Sequence, residues 1–193
     1  MLTNADLYPK DGWTFVFGMT KQSWKICIQS YARHHPNFAN QSEPGRMFSS
    51  QISKKVQYRA IKTACHELSH VFSVRHCQAY ECLMNGSSQL EEADRKPFAL
   101  CPVCLRKLSY YFGFEGEELS RYTELKEVFK YMNHGDTQQN FKREIKLFDK
   151  LTTKLARLNE QFRSDHNFAD NRAGGVSENE GGELRLPGSE DHP

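Results

Sequence analysis

The sequence predicts an α+β fold, with a small mixed sheet in the first part of the chain, one long helix after it and further helices toward the C-terminus. Two segments with β-branched and aromatic residues between turn formers come first, at 11–18 and 25–30. Apolar residues then recur every four positions from Ile52 to Phe72, the spacing of one helix face. Two later amphipathic stripes run from Leu119 to Met132 and from Phe141 to Leu158.

Taken in order, Asp11-Gly-Trp13-Thr-Phe15-Val-Phe17-Gly18 reads as a strand, and Lys25-Ile26-Cys27-Ile28-Gln29-Ser30 alternates as a second. Two strands do not make a stable sheet alone. Residues 31–50, with His34, His35, Pro36, Asn37, Pro44 and Gly45, read as a loop. In the long helix, Ile52, Val56, Ala60, Ala64, Leu68 and Phe72 form the apolar face, with Ile61 and Cys65 beside them. Residues 77–104 show no sustained period, carry Pro97 and Pro102 and hold four cysteines, so they read as a loop shaped by a bound ion. Asn133-His-Gly-Asp136 is the turn between the last two helices. The end of the chain carries Asp170, Glu178, Glu180, Glu183, Glu190 and Asp191 among glycines, with few large apolar residues, and is expected to be disordered. The expected organisation is one folded domain over 1–169 and an acidic, Gly-rich tail over 170–193.

Composition narrows the function classes. A chain of 193 residues suits a single modest domain, and a net charge of +2 is too small to argue for a nucleic-acid partner. No apolar run of membrane-spanning length is present, so a membrane partner is not expected. With no secretory pattern at the start, the protein is expected to be intracellular, cytoplasmic or nuclear.

His66-Glu67-Leu68-Ser69-His70 places two imidazoles four positions apart on one helix face, close enough to hold one ion. His76 lies six residues beyond His70, which suits a chain that leaves the helix and turns back. Three histidines with a fourth position open to water describe a catalytic zinc. Glu67 would take a proton from that water and later pass it toward a leaving amine, work for which a carboxylate suits and an amide does not. His34, His35, His134, His166 and His192 lack such company and read as surface residues.

Cys77-x4-Cys82-x18-Cys101-x2-Cys104 supplies four thiolates for a closed tetrahedral zinc that stabilises the loop and performs no hydrolysis. The competing reading is two disulfides or a redox pair at Cys101 and Cys104. Cys27 and Cys65 read as small buried hydrophobes.

The stretch His66-Glu-Leu-Ser-His70-Val-Phe-Ser73-Val-Arg-His76-Cys77, followed by Cys82-Leu-Met84 and Cys101-Pro-Val-Cys104, resembles the archaemetzincins, zinc metallopeptidases of the metzincin clan. The resemblance implies a metzincin-like catalytic domain with two Zn2+ per chain. In it His66, His70 and His76 match the catalytic ligands and Glu67 the general base. Cys77, Cys82, Cys101 and Cys104 match the structural ligands, and Met84 the methionine of the turn beneath the site. The similarity runs over about residues 1–132, including Asp6-Leu-Tyr8-Pro9 and Gly113-Phe114. It implies hydrolysis of a peptide or protein substrate, aminopeptidase-like in acting on short peptides or exposed termini.

Two departures from the family pattern shape the expectations. Ser73 stands where the clan has glycine, at a point where the backbone must take positive φ, and a serine there costs about 1 kcal/mol or more. The family also has strands upstream of the Asp6-Leu-Tyr-Pro segment that this sequence lacks, so a chain shortened at its front is expected. A catalytically inactive zinc-binding protein that keeps both metal sites is therefore the alternative to a peptidase. Nucleic-acid binding through the cysteine loop and Arg106-Lys107 is a third class, disfavoured because the basic residues are scattered among acids. Arg75 or Arg95 is a candidate to hold a substrate carboxylate, against plain solvation. Tyr80 or Tyr122 is a candidate to donate to a tetrahedral oxyanion.

Overall fold

The computed structural model describes residues 1–12, 14–36, 38, 50–136 and 140–173, with side chains at 50, 51 and 165–173 left aside. The expected mixed sheet is present. Strands β1 (Leu2–Thr3), β2 (Gly18–Lys21) and β3 (Ile26–Ser30) lie in the order β1-β3-β2, with β1 parallel and β2 antiparallel to β3. Leu2–Thr3 supplies the third strand that the two predicted ones needed. The first predicted strand is displaced, because among the described residues of 11–17 only Val16 forms a bridge, to Leu7, and β2 begins where that segment was expected to end. A short 3-10 turn at Gln22–Trp24, with Lys25 in the left-handed region at φ 53°, joins β2 to β3.

Helix α1 (Ser50–Val71) follows, then α2 (Leu90–Arg95), α3 (Pro102–Phe112), α4 (Glu118–Asn133) and α5 (Lys142–Ala173). The loop expected over 77–104 thus contains α2 and runs into α3. Pro102 at the first turn and Gly113 at φ 71° after the last, its N–H on the Ser109 carbonyl, delimit α3 in the way that favours proline before and glycine after a helix. Contacts divide the chain into a unit of residues 1–153 and a second of 154–193, whose described part is the distal stretch of α5. Asp170–Ala173 are helical, and the remainder of the predicted tail lies outside the described residues.

The buried face of α1 is not its apolar stripe. Leu68 is 48% exposed and Ile52, Val56, Ala60, Ala64 and Phe72 are half-buried, whereas Tyr58, Lys62, Thr63, His66, Glu67 and Ser69 are buried. Each of these polar groups therefore needs a partner. Lys62 Nζ donates to the carbonyls of Ala93, Asp94 and Lys96, closing the C-terminal end of α2 with a cation. Arg59 forks onto both Asp94 oxygens at 2.9 and 2.6 Å and also donates to the His34 carbonyl. Gln29 of β3 donates to the Ala60 carbonyl at 2.7 Å, fixing the sheet on the helix.

A second, aromatic core holds the later helices of the first unit. Tyr58 meets Phe141 edge-on at 5.1 Å, Phe98 meets Phe129 at 4.8 Å, and Phe129 stacks on Phe148 at 5.3 Å. The Tyr58 hydroxyl donates to Glu144 Oε1 at 2.8 Å, so the helix that carries the histidines is pinned to the start of α5.

His34 departs from the expectation of a surface residue. It is 1% exposed, stacked on Phe17 with centroids 5.5 Å apart, and among the described residues neither ring nitrogen meets a hydrogen-bond partner. Burial, then the Arg59 charge, lower its pKa to about 4, while Asp94 acts in the opposite direction. The unfolded chain therefore takes up a proton at this residue first. Stability carried by neutral His34 is complete above the unfolded value near 6.5, and is lost as pH falls from there toward about 4. Denaturant unfolding followed from pH 7 to pH 4.5 should show a decline of as much as ~3 kcal/mol from this group, and His34→Leu should flatten the curve over that window. An equally steep curve in the variant would assign the acid sensitivity to other groups.

Candidate active site

Helix α1 ends where the site begins. Phe72 N–H and Val74 N–H both reach the Ser69 carbonyl, Ser73 N–H reaches that of His70, and Ser73 adopts φ 67°. This is a left-handed helix end of the kind glycine usually forms, here made by the serine that the sequence placed there. Val74, 1% exposed, anchors the turn in a core with Cys82, Met84, Cys101 and Cys104. The sheet covers the remaining carbonyls of the last turn, with Gln22 Nε2 on His70 O at 3.0 Å and Lys25 Nζ on Val71 O at 3.1 Å. A lysine is favourable at this negative end of the helix dipole.

The turn brings His76 back to His66 and His70. One ring nitrogen from each of the three lies within 4.8 Å of the others, and His66 Nε2 is 3.1 Å from His70 Nε2. The Nδ1 edges of His66 and His70 face the carbonyls of Leu83 and Val74 at 2.9 and 2.6 Å. Only an N–H satisfies such a contact, so each Nε2 keeps its lone pair for the cluster. Bonds of about 2.0–2.1 Å to one tetrahedral ion would separate two nitrogens by about 3.4 Å, close to the spacing found. Burial, reinforced by the Lys96 charge, lowers His66 to about 3, and burial also lowers His70 and His76, which keeps all three in the neutral, ligating form. Gly86 lies against the His76 ring, where a Cβ would stand at an ordinary contact distance of 3.4 Å from Nδ1.

The Glu67 carboxylate meets β2 on one side and stands near enough to His76 for the two charges to act on each other. Thr20 Oγ1 lies 2.7 Å from Glu67 Oε2 and 3.0 Å from the Glu67 carbonyl, so one hydroxyl registers both ends of the residue. Gly18, two positions earlier on the same face of the strand, admits the carboxylate, because a Cβ there would come within 2.7 Å of Glu67 Cγ. Burial raises the Glu67 pKa, while the Thr20 hydroxyl and the Lys96 charge draw it back. Lys96 is itself buried, with Nζ 3.4 Å from His66 Nδ1 and 3.3 Å from the Asn85 carbonyl, and burial lowers it to about 8. Sequence reasoning missed Gly18, Thr20 and Lys96, for no spacing in a single sequence ties them to a motif more than twenty residues away.

Cys77, Cys82, Cys101 and Cys104 form the second cluster, with sulfurs within 4.8 Å of one another and Cys77 Sγ 3.9 Å from Cys101 Sγ. Four bonds of about 2.3 Å to one ion would set tetrahedral edges near ~3.8 Å. All six cysteines are free, and backbone N–H groups donate to two of the sulfurs, Cys101 N–H to Cys82 Sγ and Cys104 N–H to Cys101 Sγ. Two candidate metal-binding clusters are therefore present, linked by the segment that carries His76, Cys77 and Cys82, and Val74 just past the end of α1 packs with Met84 against the thiols. Among the other candidates, Tyr122 is buried against Phe148 at 5.7 Å, within the helical layer, and Tyr80, Arg75 and Arg95 are exposed.

Comparison with known proteins bears on the same stretch. A sequence profile described as Peptidase family M54 matches residues 1–110. Archaemetzincin-2 of Mus musculus is 39% identical over 130 residues, covering 58% of this chain and 36% of that protein. Archaemetzincin-1 of Rattus norvegicus is 36% identical over 143 residues, covering 64% of this chain and 28% of that one. A solved zinc-dependent peptidase from Methanocorpusculum labreanum aligns with TM-score 0.47 and 29% identity over 55% of this chain and 51% of its own. The chain spans about a third of the length of the curated relatives it matches.

The left-handed Ser73 gives a direct test of local strain. Replacing it with glycine relieves the Cβ clash at φ 67° and returns part of the gain as extra freedom in the unfolded chain. Ser73→Gly should raise the unfolding free energy by about 0.5–1 kcal/mol, read from the denaturant midpoint at unchanged slope. A less stable variant would show that the serine hydroxyl makes a compensating contact.

Proposed function

The chain belongs to peptidase family M54, the family of the archaemetzincins, and on that premise we propose that it hydrolyses peptide bonds with a zinc ion held by His66, His70 and His76 and with Glu67 as general base. The convergence of the three histidines on one point, each of two turned by its Nδ1 contact so that Nε2 faces inward, is the observation that carries the reading. Neutral imidazoles at pH 7 fit a divalent ion, and three such ligands would leave a tetrahedral zinc one position for water, as a catalytic site needs.

Zinc bound there supplies Lewis acidity, drawing the pKa of a water toward neutrality and polarising a peptide carbonyl. The chain's own residues do the rest. Glu67, raised by burial, accepts the proton of the attacking water at the carboxylate oxygen not engaged by Thr20, and returns it to the departing amine. Thr20 fixes the rotamer of that carboxylate, and Gly18 keeps the strand close enough for it to do so. Lys96 holds a positive charge behind His66 and Glu67, which limits how far burial can neutralise the base.

Cys77, Cys82, Cys101 and Cys104 would hold a second zinc as a closed structural site. Its support is the sulfur spacing together with the backbone N–H groups of Cys101 and Cys104, which donate to Cys82 Sγ and Cys101 Sγ. The substrate would be a peptide or protein.

Purified protein should carry close to two zinc ions per chain. Glu67→Gln should keep both ions and lose at least about a hundredfold in kcat. Thr20→Val should lower kcat by about tenfold with KM little changed, because it loosens the base and leaves substrate contacts alone. A library pairing free and N-acetylated peptides separates aminopeptidase-like from internal cleavage. Two zinc ions with no turnover of any peptide would instead favour the inactive zinc-binding reading. Turnover that survives Glu67→Gln would overturn the assignment of the base.

A further inference from the structure

A groove of about 890 Å³ lies apart from the histidine cluster, between the cysteine loop and α5, and none of the residues assigned to hydrolysis lines it. Its floor is apolar. Leu147 and Leu151, one turn apart on α5, are half-buried, and they face Pro97, Leu100 and Pro102 of the loop. Buried Tyr122 closes one side.

The rim on the α5 side is cationic. Lys142, Arg143, Lys146 and Lys150 all line the groove and all are exposed. Arg143 is held against the loop by donating to the Arg95 carbonyl at 2.6 Å and meets Glu81 only at 3.9 Å, a pair exposed enough to count for little. Among the described residues no carboxylate lies within ion-pair distance of Lys142, Lys146 or Lys150, although the same helix pairs Asp149 with Lys126 on its other side. An apolar floor beneath unpaired cations is complementary to a chain that presents apolar and acidic side chains together. Nucleic acid fits it less well, since the floor is mostly leucine and proline and Tyr80 is the one exposed aromatic ring among the lining residues, too little for a run of stacked bases.

We propose that this groove docks an acidic peptide segment of a partner protein, with apolar side chains seated on Leu147 and Leu151 and carboxylates on Lys142, Lys146 and Lys150. The docking is independent of peptide-bond hydrolysis, so it survives or fails by binding alone.

The test uses the full zinc-loaded chain and a fluorescein-labelled twelve-residue peptide of repeating Glu-Glu-Leu, with Gln-Gln-Leu as its uncharged counterpart. Anisotropy should show saturable binding of the acidic peptide that weakens as salt rises and is at least about tenfold weaker for the uncharged one. The doubly reversed variant Lys146→Glu, Lys150→Glu touches only exposed side chains. It should bind the acidic peptide at least about tenfold more weakly with unchanged circular dichroism. Amide exchange should slow in 97–102 and 142–151 when the peptide is added. Absence of binding, or equal affinity in the variant, overturns the proposal. So does tighter binding of an oligothymidylate of the same charge, which would make the groove a nucleic-acid surface. Sedimentation showing a dimer that dissociates in the variant would give the groove to a second copy of the chain, and would likewise overturn it.

Discussion

Helix α1 buries lysine, threonine, histidine, glutamate and serine side chains on the face that meets the rest of the protein, and every buried polar atom on that face must find a partner or cost a few kcal/mol. The surrounding elements are arranged by this demand. Lys62 requires a ring of carbonyls, which the end of α2 supplies. His66 requires an acceptor at Nδ1, which the loop at Leu83 supplies, and Glu67 requires a donor, which β2 supplies. The sheet, the loop and the short helix are held to α1 by hydrogen bonds first and by apolar contact second. Apolar cohesion comes instead from the aromatic layer in which Tyr58 of α1 meets Phe98 and Phe141 and, through them, Phe129 and Phe148.

The two clusters share a small core. Val74 follows the left-handed serine, Met84 is fully buried beside it, and three of the four cysteines complete the group. A loop with so few large side chains has little hydrophobic free energy to hold it, so its shape depends on polar contacts such as Asn85, which donates to two carbonyls and accepts from Cys82 N–H. A metal at the thiols would add cross-links where the core is thinnest, and through Leu83 and Val74 it would steady the acceptors that orient His66 and His70.

Much of this was legible in the sequence because it rests on local spacing. The histidine and cysteine sets, the positive φ at residue 73, the long helix, the turn at 133–136 and the helices on either side follow from motif and period. The apolar stripe of α1 misled, since periodicity reports that a helix is amphipathic and assumes that its apolar side is the inner one. Here the inner side is polar, because it carries the residues of the candidate site. His34 was invisible for a similar reason, as its burial depends on Phe17 and Arg59, which are distant in sequence. The α3 helix did carry signals, Pro102 and Gly113, that the cysteine pattern obscured. Thr20 and Gly18 reach Glu67 only through strand pairing, which a single sequence does not reveal.

That pairing makes the sheet a vernier for the carboxylate. Gly18 and Thr20 face α1 because Gly18 opposes Gln29 and Thr20 opposes Cys27. A slip of β2 by one residue would turn both outward and present Met19 or Lys21 to Glu67, replacing the gap and the hydroxyl with bulk or charge. A strand of four residues with few ladder bonds is helped to keep its register by side chains of the hairpin it belongs to, Gln22 and Lys25 of the turn on the end of α1 and Gln29 of β3 on its middle. Those surface-looking residues of a short hairpin thus set an alignment that the buried site reads at a resolution of a single residue.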